Sequence, residues 1–175
     1  KADKRDGLGT FLYANGDSYY GRWVADCRTG QGKYLFANGD VYDGQLEDGR
    51  FEGQGSLAYA NGNVYTGGFS SDKRHGLGEM VYHSGEQYSG EWAYGLREGR
   101  GTYIFANGDK YEGQWMAGKR SGMGVMNFSN GDCYEGFWQL NLKAGPGKYK
   151  FADGSKLEGT FTEDRLLCST DSPTL

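Results

Sequence analysis

The sequence predicts an all-β fold, an elongated solenoid-like stack of seven antiparallel β-hairpins. Three observations predict it. Seven Gly-x-Gly pairs begin at Gly7, Gly30, Gly53, Gly76, Gly99, Gly122 and Gly145, an unbroken interval of 23 residues. Large side chains in each unit fall at alternate positions, the period of a strand. A turn triplet such as Ala-Asn-Gly divides every unit in two. A short tandem unit makes a stack in which each repeat touches mainly its neighbours, and it offers a long surface rather than one deep cleft.

Taking the first glycine of each unit as repeat position 0, the first strand carries a large residue at position 4 (Phe11, Tyr34, Leu57, Met80, Tyr103, Met126, Tyr149). Position 6 is always aromatic, from Tyr13 to Phe151, and position 9 is always Gly. The second strand carries Tyr at position 12 (Tyr19, Tyr42, Tyr65, Tyr88, Tyr111, Tyr134), with Leu157 in the last unit. Position 14 is always Gly, and position 16 is Trp23, Leu46, Phe69, Trp92, Trp115, Trp138 or Phe161.

Parity selects the turn between the two strands. A two-residue Asn-Gly turn would put the rings of the two strands on opposite faces. A three-residue loop, Ala14-Asn15-Gly16 in the first unit, pairs position 4 with 12 and gathers every ring onto one face. Its glycine closes a type I turn with a bulge. Positions 2 and 14 then lie opposite each other on the aromatic face, where a missing Cβ leaves room for rings to fold over. The stack of fourteen strands is expected to extend roughly 65–70 Å at the usual strand spacing.

Composition narrows the class. The net charge of −4 gives no general case for nucleic acid. No run approaches the ~20 apolar residues of a membrane span. The charged start, Lys1 to Asp6, does not read as a signal peptide; it matches the connector before each Gly pair, so the chain is expected to be the C-terminal part of a longer array. Cys27, Cys133 and Cys168 occupy unrelated repeat positions, which is no disulfide framework and favours a reducing, cytoplasmic setting. Cys168 lies in the polar tail as a candidate for cross-linking two chains. One array, residues 1–164, is expected to be followed by a tail, 165–175.

The unit Gly-x-Gly-x-x-x-aromatic-x-Asn-Gly-Asp-x-Tyr-x-Gly-x-Trp, seen best from Gly99 to Gly122 and nearly as well from Gly76 to Trp92, resembles the MORN (membrane occupation and recognition nexus) repeat. The resemblance spans residues 1 to about 164. It implies a non-catalytic array, and arrays made almost wholly of such repeats resemble protozoan cytoskeletal scaffolds that self-associate beneath membranes. Partners expected on that basis are a second copy and other cytoskeletal proteins. The implied location is cytoplasmic, on the cytoskeleton at the membrane periphery.

Enzyme readings fail on inventory, and no cofactor motif is present. The histidines, His75 and His83, sit in a connector and beside a turn, without a paired nucleophile. No Cys-x-x-Cys or His-x-x-x-His spacing suggests a metal. The Gly-x-Gly pairs lack the following helix that a dinucleotide site needs. Acidic residues recur at position 10 (Asp17, Asp40, Glu86, Asp109, Asp132), where they are expected to bond local turn amides.

Two surfaces stand out. Basic residues at positions 20 and 21 (Arg28, Arg50, Lys73, Arg74, Arg97, Lys119, Arg120, Lys143) are expected to line one edge of the stack. There they would meet acidic partners or anionic phospholipid, at about 1 kcal/mol per cation near a charged surface. The odd-position face, elsewhere mostly polar or small, turns apolar in the sixth unit with Val125, Cys133 and Phe137, followed by Leu140 and Leu142. With Leu157 and Phe161 of the atypical last unit, these residues are expected to form a homodimer contact. The competing expectation is that Leu166 and Leu167 fold back to cap that end.

Overall fold

Rings at even positions and small or polar residues between them leave each stretch one apolar side, and extended strands use that side. The computed structural model describes residues 4–167, so Cys168 and the rest of the tail lie outside the described residues. Two compact units are present, with the boundary between Leu96 and Arg97. The first holds β1 (Gly7–Leu12), β2 (Ser18–Val24), β3 (Cys27–Leu35), β4 (Val41–Glu47), β5 (Arg50–Ala58), β6 (Val64–Ser70), β7 (Lys73–Val81) and β8 (Gln87–Ala93). The second holds β9 (Leu96–Ile104) from its second residue on, β10 (Lys110–Met116), β11 (Lys119–Asn127), β12 (Cys133–Gln139), β13 (Leu142–Lys150), β14 (Lys156–Thr162) and β15 (Arg165–Leu166). Within each unit, strands adjacent in sequence pair antiparallel, and the described residues include no helix.

Inside a repeat the loop has three residues, as parity requires. The Tyr13 amide donates to the Asp17 carbonyl at 2.9 Å, and the Gly16 amide donates to the Tyr13 carbonyl at 3.0 Å. Gly16 has φ +92°, the left-handed state that closes the bulge. Phe11 therefore faces Tyr19, and Gly9 faces Gly21. Between repeats a second kind of hairpin appears where the sequence suggests only a connector. Ala25 and Asp26 both have positive φ, as do Leu140 and Asn141. This is a two-residue turn of type I′, which explains the Asp, Asn or Gly at its second residue.

The core is a single layer of rings. Tyr19, Tyr42, Tyr65, Tyr88, Tyr111 and Tyr134 are fully buried. The Tyr111 ring lies across the glycine pair Gly113 and Gly124, which face each other on β10 and β11. Its hydroxyl donates to the Gln114 carbonyl at 3.0 Å. Any Cβ on either glycine would occupy the volume of the ring, and this is the steric reason for the invariant pair. Trp115 and Trp138 meet the same ring edge-on, each at 5.3 Å between centroids.

The first glycine of each unit serves a different purpose. Gln114 of β10 faces three residues of β11, because Gly113 pairs with Gly124 but Trp115 pairs with Arg120. Gly122, at φ +70°, makes that bulge possible. The Gln114 side chain then accepts the Met123 amide at 2.8 Å, and Gln45 does the same for Gln54. In the next repeat Phe137 stands where Gln114 stood, and the residue in the place of Met123 is Pro146, which has no amide hydrogen to satisfy.

At the C-terminal end β15 pairs with β14, and Leu166 covers Gly159, the glycine left uncovered by the change of tyrosine to Leu157. Leu167 continues the cap through its amide, which donates to the Thr160 carbonyl at 2.8 Å. Phe161 is buried beneath this cap and against Tyr134, at 5.1 Å.

Candidate functional site

Alternation along a strand sends positions 20 and 21 to opposite faces, and the predicted basic row divides accordingly. Arg28, Arg74, Arg97, Arg120 and Lys143 occupy position 21 and turn onto the aromatic face, half-buried. The guanidinium of Arg97 sits 4.3 Å from the Trp115 centroid, Arg74 4.4 Å from Trp92 and Arg120 4.5 Å from Trp138. Arg28 lies over Tyr34 at 5.0 Å and Lys143 over Tyr149 at 4.9 Å. Each arginine also donates to a carbonyl of the following connector turn, Arg97 to Gly118 at 2.8 Å and Arg120 to Asn141 at 2.8 Å. Burial pulls the Arg120 and Lys143 pKa values below their ordinary values. Phe51 fills the same seat in its repeat and stacks on Tyr42 at 3.7 Å. These cations therefore cement the repeats, whereas Arg50, Lys73 and Lys119, at position 20, are exposed.

The acidic turn residues act both within their own turn and between repeats. Within its own turn, Asp17 donates its amide to the Asn15 side chain at 3.1 Å. Its carboxylate accepts the Asn15 side-chain amide at 2.8 Å and, from the next repeat, the Ala37 amide at 2.8 Å and the Tyr34 hydroxyl at 2.6 Å. Asp40, Asp109 and Asp132 repeat the step to Ala60, Ser129 and Ala152, each within 2.9 Å. The Tyr34 hydroxyl, the Ala37 amide and Asn15 hold the Asp17 carboxyl below the usual range. Burial, reinforced by that carboxylate, pushes Tyr34 up to about 12. Of the histidines, His83 donates its backbone amide to the Asn63 side chain, and His75 packs edge-on against Tyr94. Among the described residues no cluster of His, Cys, Asp or Glu is placed to hold a metal ion.

What remains for a partner is the odd-position face. In the second unit Met123 is 54% exposed and faces Phe137, 43% exposed, across β11 and β12. Two grooves flank this pair. One, of about 480 Å³, lies over Gly113 and Gly124 and is walled by Arg100, Met123, Val125 and Glu135. The other, of about 520 Å³, lies over Gly136 and Gly147 and shares Met123 and Glu135 as its wall. Of the residues predicted for self-association, Val125 lines the first groove, and Cys133 is half-buried on the adjoining strand. Burial pushes the Cys133 thiol pKa up. Leu140, Leu142 and Phe161 line a separate hollow of about 400 Å³, and Leu157 stands exposed on the ring side. Met123, Glu135 and Pro146 were missed by the sequence reading; their odd repeat positions in the same units were the available signal.

The sequence matches the MORN repeat over residues 1–18, 19–41, 42–64, 65–87, 88–110, 111–133 and 134–156. The chain belongs to the MORN repeat family. Among curated proteins, none matches it. Among solved structures, this MORN array is similar to the SAS-4 (dCPAP) TCP domain of Drosophila melanogaster in complex with a proline-rich motif of Ana2 (dSTIL). That likeness has a TM-score of 0.55 at 17% identity and covers 89% of this chain and 86% of that one. It is also similar to the TCP10 domain of Danio rerio CPAP, with a TM-score of 0.52 at 12% identity over 88% of this chain and 73% of that one. At such identities the likeness is one of fold. No helix among the described residues is long and apolar enough to cross a membrane.

Proposed function

We propose that this MORN array is a non-catalytic cytoskeletal scaffold that binds protein segments and a second copy of itself through the odd-position face of its C-terminal repeats. One observation carries the reading. The aromatic face is consumed by its own tyrosines, glycines and position-21 cations, while Met123, Phe137, Leu140 and Leu142 stand exposed on the second unit. Side chains of that kind, grouped on a sheet face, call for a partner. The use of a similar fold by the fly SAS-4 domain to hold a proline-rich motif supports the protein-binding part of the reading.

Light scattering tests self-association. The wild-type chain is expected to show twice the monomer mass, and Phe137→Glu the monomer mass. Phe137 is surface-exposed, so the substitution leaves the ring layer intact. A wild-type mass equal to the monomer, or a Phe137→Glu mass equal to that of a wild-type dimer, defeats the role given to this face. A second reading, association with anionic phospholipid, is favoured by the exposure of Arg50, Lys73 and Lys119. It predicts flotation with anionic liposomes that is lost as salt rises, since exposed charges are screened within about 8 Å at physiological ionic strength.

A further inference from the structure

We infer that the paired grooves on the second unit form a docking track for a basic, proline-rich segment in the polyproline II conformation, lying across the strands. The inference rests on the protein-binding reading above and names its ligand class.

The two grooves lie one repeat apart. They lie over successive glycine pairs, Gly113 with Gly124 and Gly136 with Gly147, and are separated by the Met123–Glu135 wall. One repeat is two strands, about 9.6 Å at the usual strand spacing. A polyproline II helix returns to the same side every three residues, about 9.3 Å along its axis. Residues i and i+3 of such a segment therefore fall into consecutive grooves without strain. A β-strand laid across the sheet has no such match, since its same-side residues recur about every 6.8 Å.

Charge selects among proline-rich segments. Position 13 of the fifth to seventh repeats is Glu112, Glu135 and Glu158, one acidic residue per repeat beside the track. Lys110 pairs with Glu112 at 2.9 Å, and Lys148 with Glu158 at 3.1 Å. Glu135 stands in the shared wall, exposed, between the cross-strand neighbours Val125 and Lys148. Lys148 is already committed to Glu158, which leaves the Glu135 carboxylate facing a partner cation. Met123, with Val125 in one groove and Pro146 in the other, supplies the apolar side that a pyrrolidine ring packs against.

The test is fluorescence anisotropy of the full 175-residue chain with three labelled nine-residue peptides: (Pro-Pro-Arg)₃, (Gly-Ser-Arg)₃ and (Pro-Pro-Glu)₃. The first is expected to bind saturably, and the other two at least about tenfold more weakly, since one lacks the preformed helix and the other the cation. Glu135→Gln and Met123→Ser are both surface changes and are each expected to weaken (Pro-Pro-Arg)₃ several-fold. Equal binding of the two arginine peptides sinks the conformational match. Equal binding by wild type and both variants sinks the location. Light scattering of the same wild-type and Phe137→Glu samples separates the two readings. A mass that halves in the variant, with no peptide selectivity, overturns the track and leaves self-association standing. Peptide selectivity with an unchanged mass supports the track and removes the dimer.

Discussion

Two glycines at the same repeat position should respond in opposite ways to one methyl group. A Cβ on Gly124 would lie 2.6 Å from both Cε2 and Cζ of Tyr111 and would also meet its hydroxyl. Optimal carbon contacts are about 3.5–4.0 Å, so the ring must move by about 1 Å. It has nowhere to go: Tyr111 is 0% exposed and is held between Trp115 and Trp138. Overpacking of this kind costs about 1–3 kcal/mol. The ring's hydrogen bond to Gln114 contributes about 1 kcal/mol more, and weakened aromatic pairs about 0.5–1.5 kcal/mol. Relief of glycine's backbone entropy offsets about 0.5–1 kcal/mol. Gly124→Ala is therefore expected to cost about 3 kcal/mol. Gly9 sits at the equivalent position, yet nothing lies within 4 Å of its Cβ site and its φ is not positive, so Gly9→Ala should be neutral or stabilising by up to about 1 kcal/mol. Urea melts followed by circular dichroism give the global difference. Hydrogen exchange on β10 to β12 locates it, which matters because repeat arrays can unfold in parts. In a Tyr111→Ala background the cost of Gly124→Ala should largely vanish. Equal effects at the two glycines, or a full cost that persists without the Tyr111 ring, would refute the account of the glycine pair.

Further outcomes follow from the contacts between repeats. Arg97→Met keeps the stem but removes the cation over Trp115 and the bond to Gly118, and is expected to cost about 2 kcal/mol in chemical denaturation. Pro146→Ala introduces an amide that Phe137 cannot accept; a loss of about 1 kcal/mol is expected, recovered when Phe137→Gln is added. Asp17 and Asp132 have lowered folded-state pKa values, so their stabilisation is present above the unfolded value of 3.8 and is lost as pH falls through the folded values. Tyr34 and Tyr149 are raised to about 12 from 10, so theirs is present below pH 10 and disappears as pH climbs towards 12. Thermal melts across both windows should fall at both ends.

The sequence alone determined the period, the strands and the three-residue loop. Those features are local: a side-chain period of two and a glycine at a fixed spacing are enough to decide which residues share a face. It also identified Phe137 as an anomaly, because the residues at the same position in the other repeats are polar or glycine. The tertiary structure decided everything that one repeat does for the next. Arg120 and Lys119 look alike in a list of basic residues, but the pairing of β10 with β11 turns position 21 inward onto the rings and leaves position 20 in water. Asp17 carries the signature of a turn residue, yet its carboxylate reaches the amide of a turn 20 residues on, since that turn stacks against it. The grooves beside Met123 are walled by side chains from several different strands. Contacts of this kind depend on how strands register across a sheet, and no single stretch of chain contains that information.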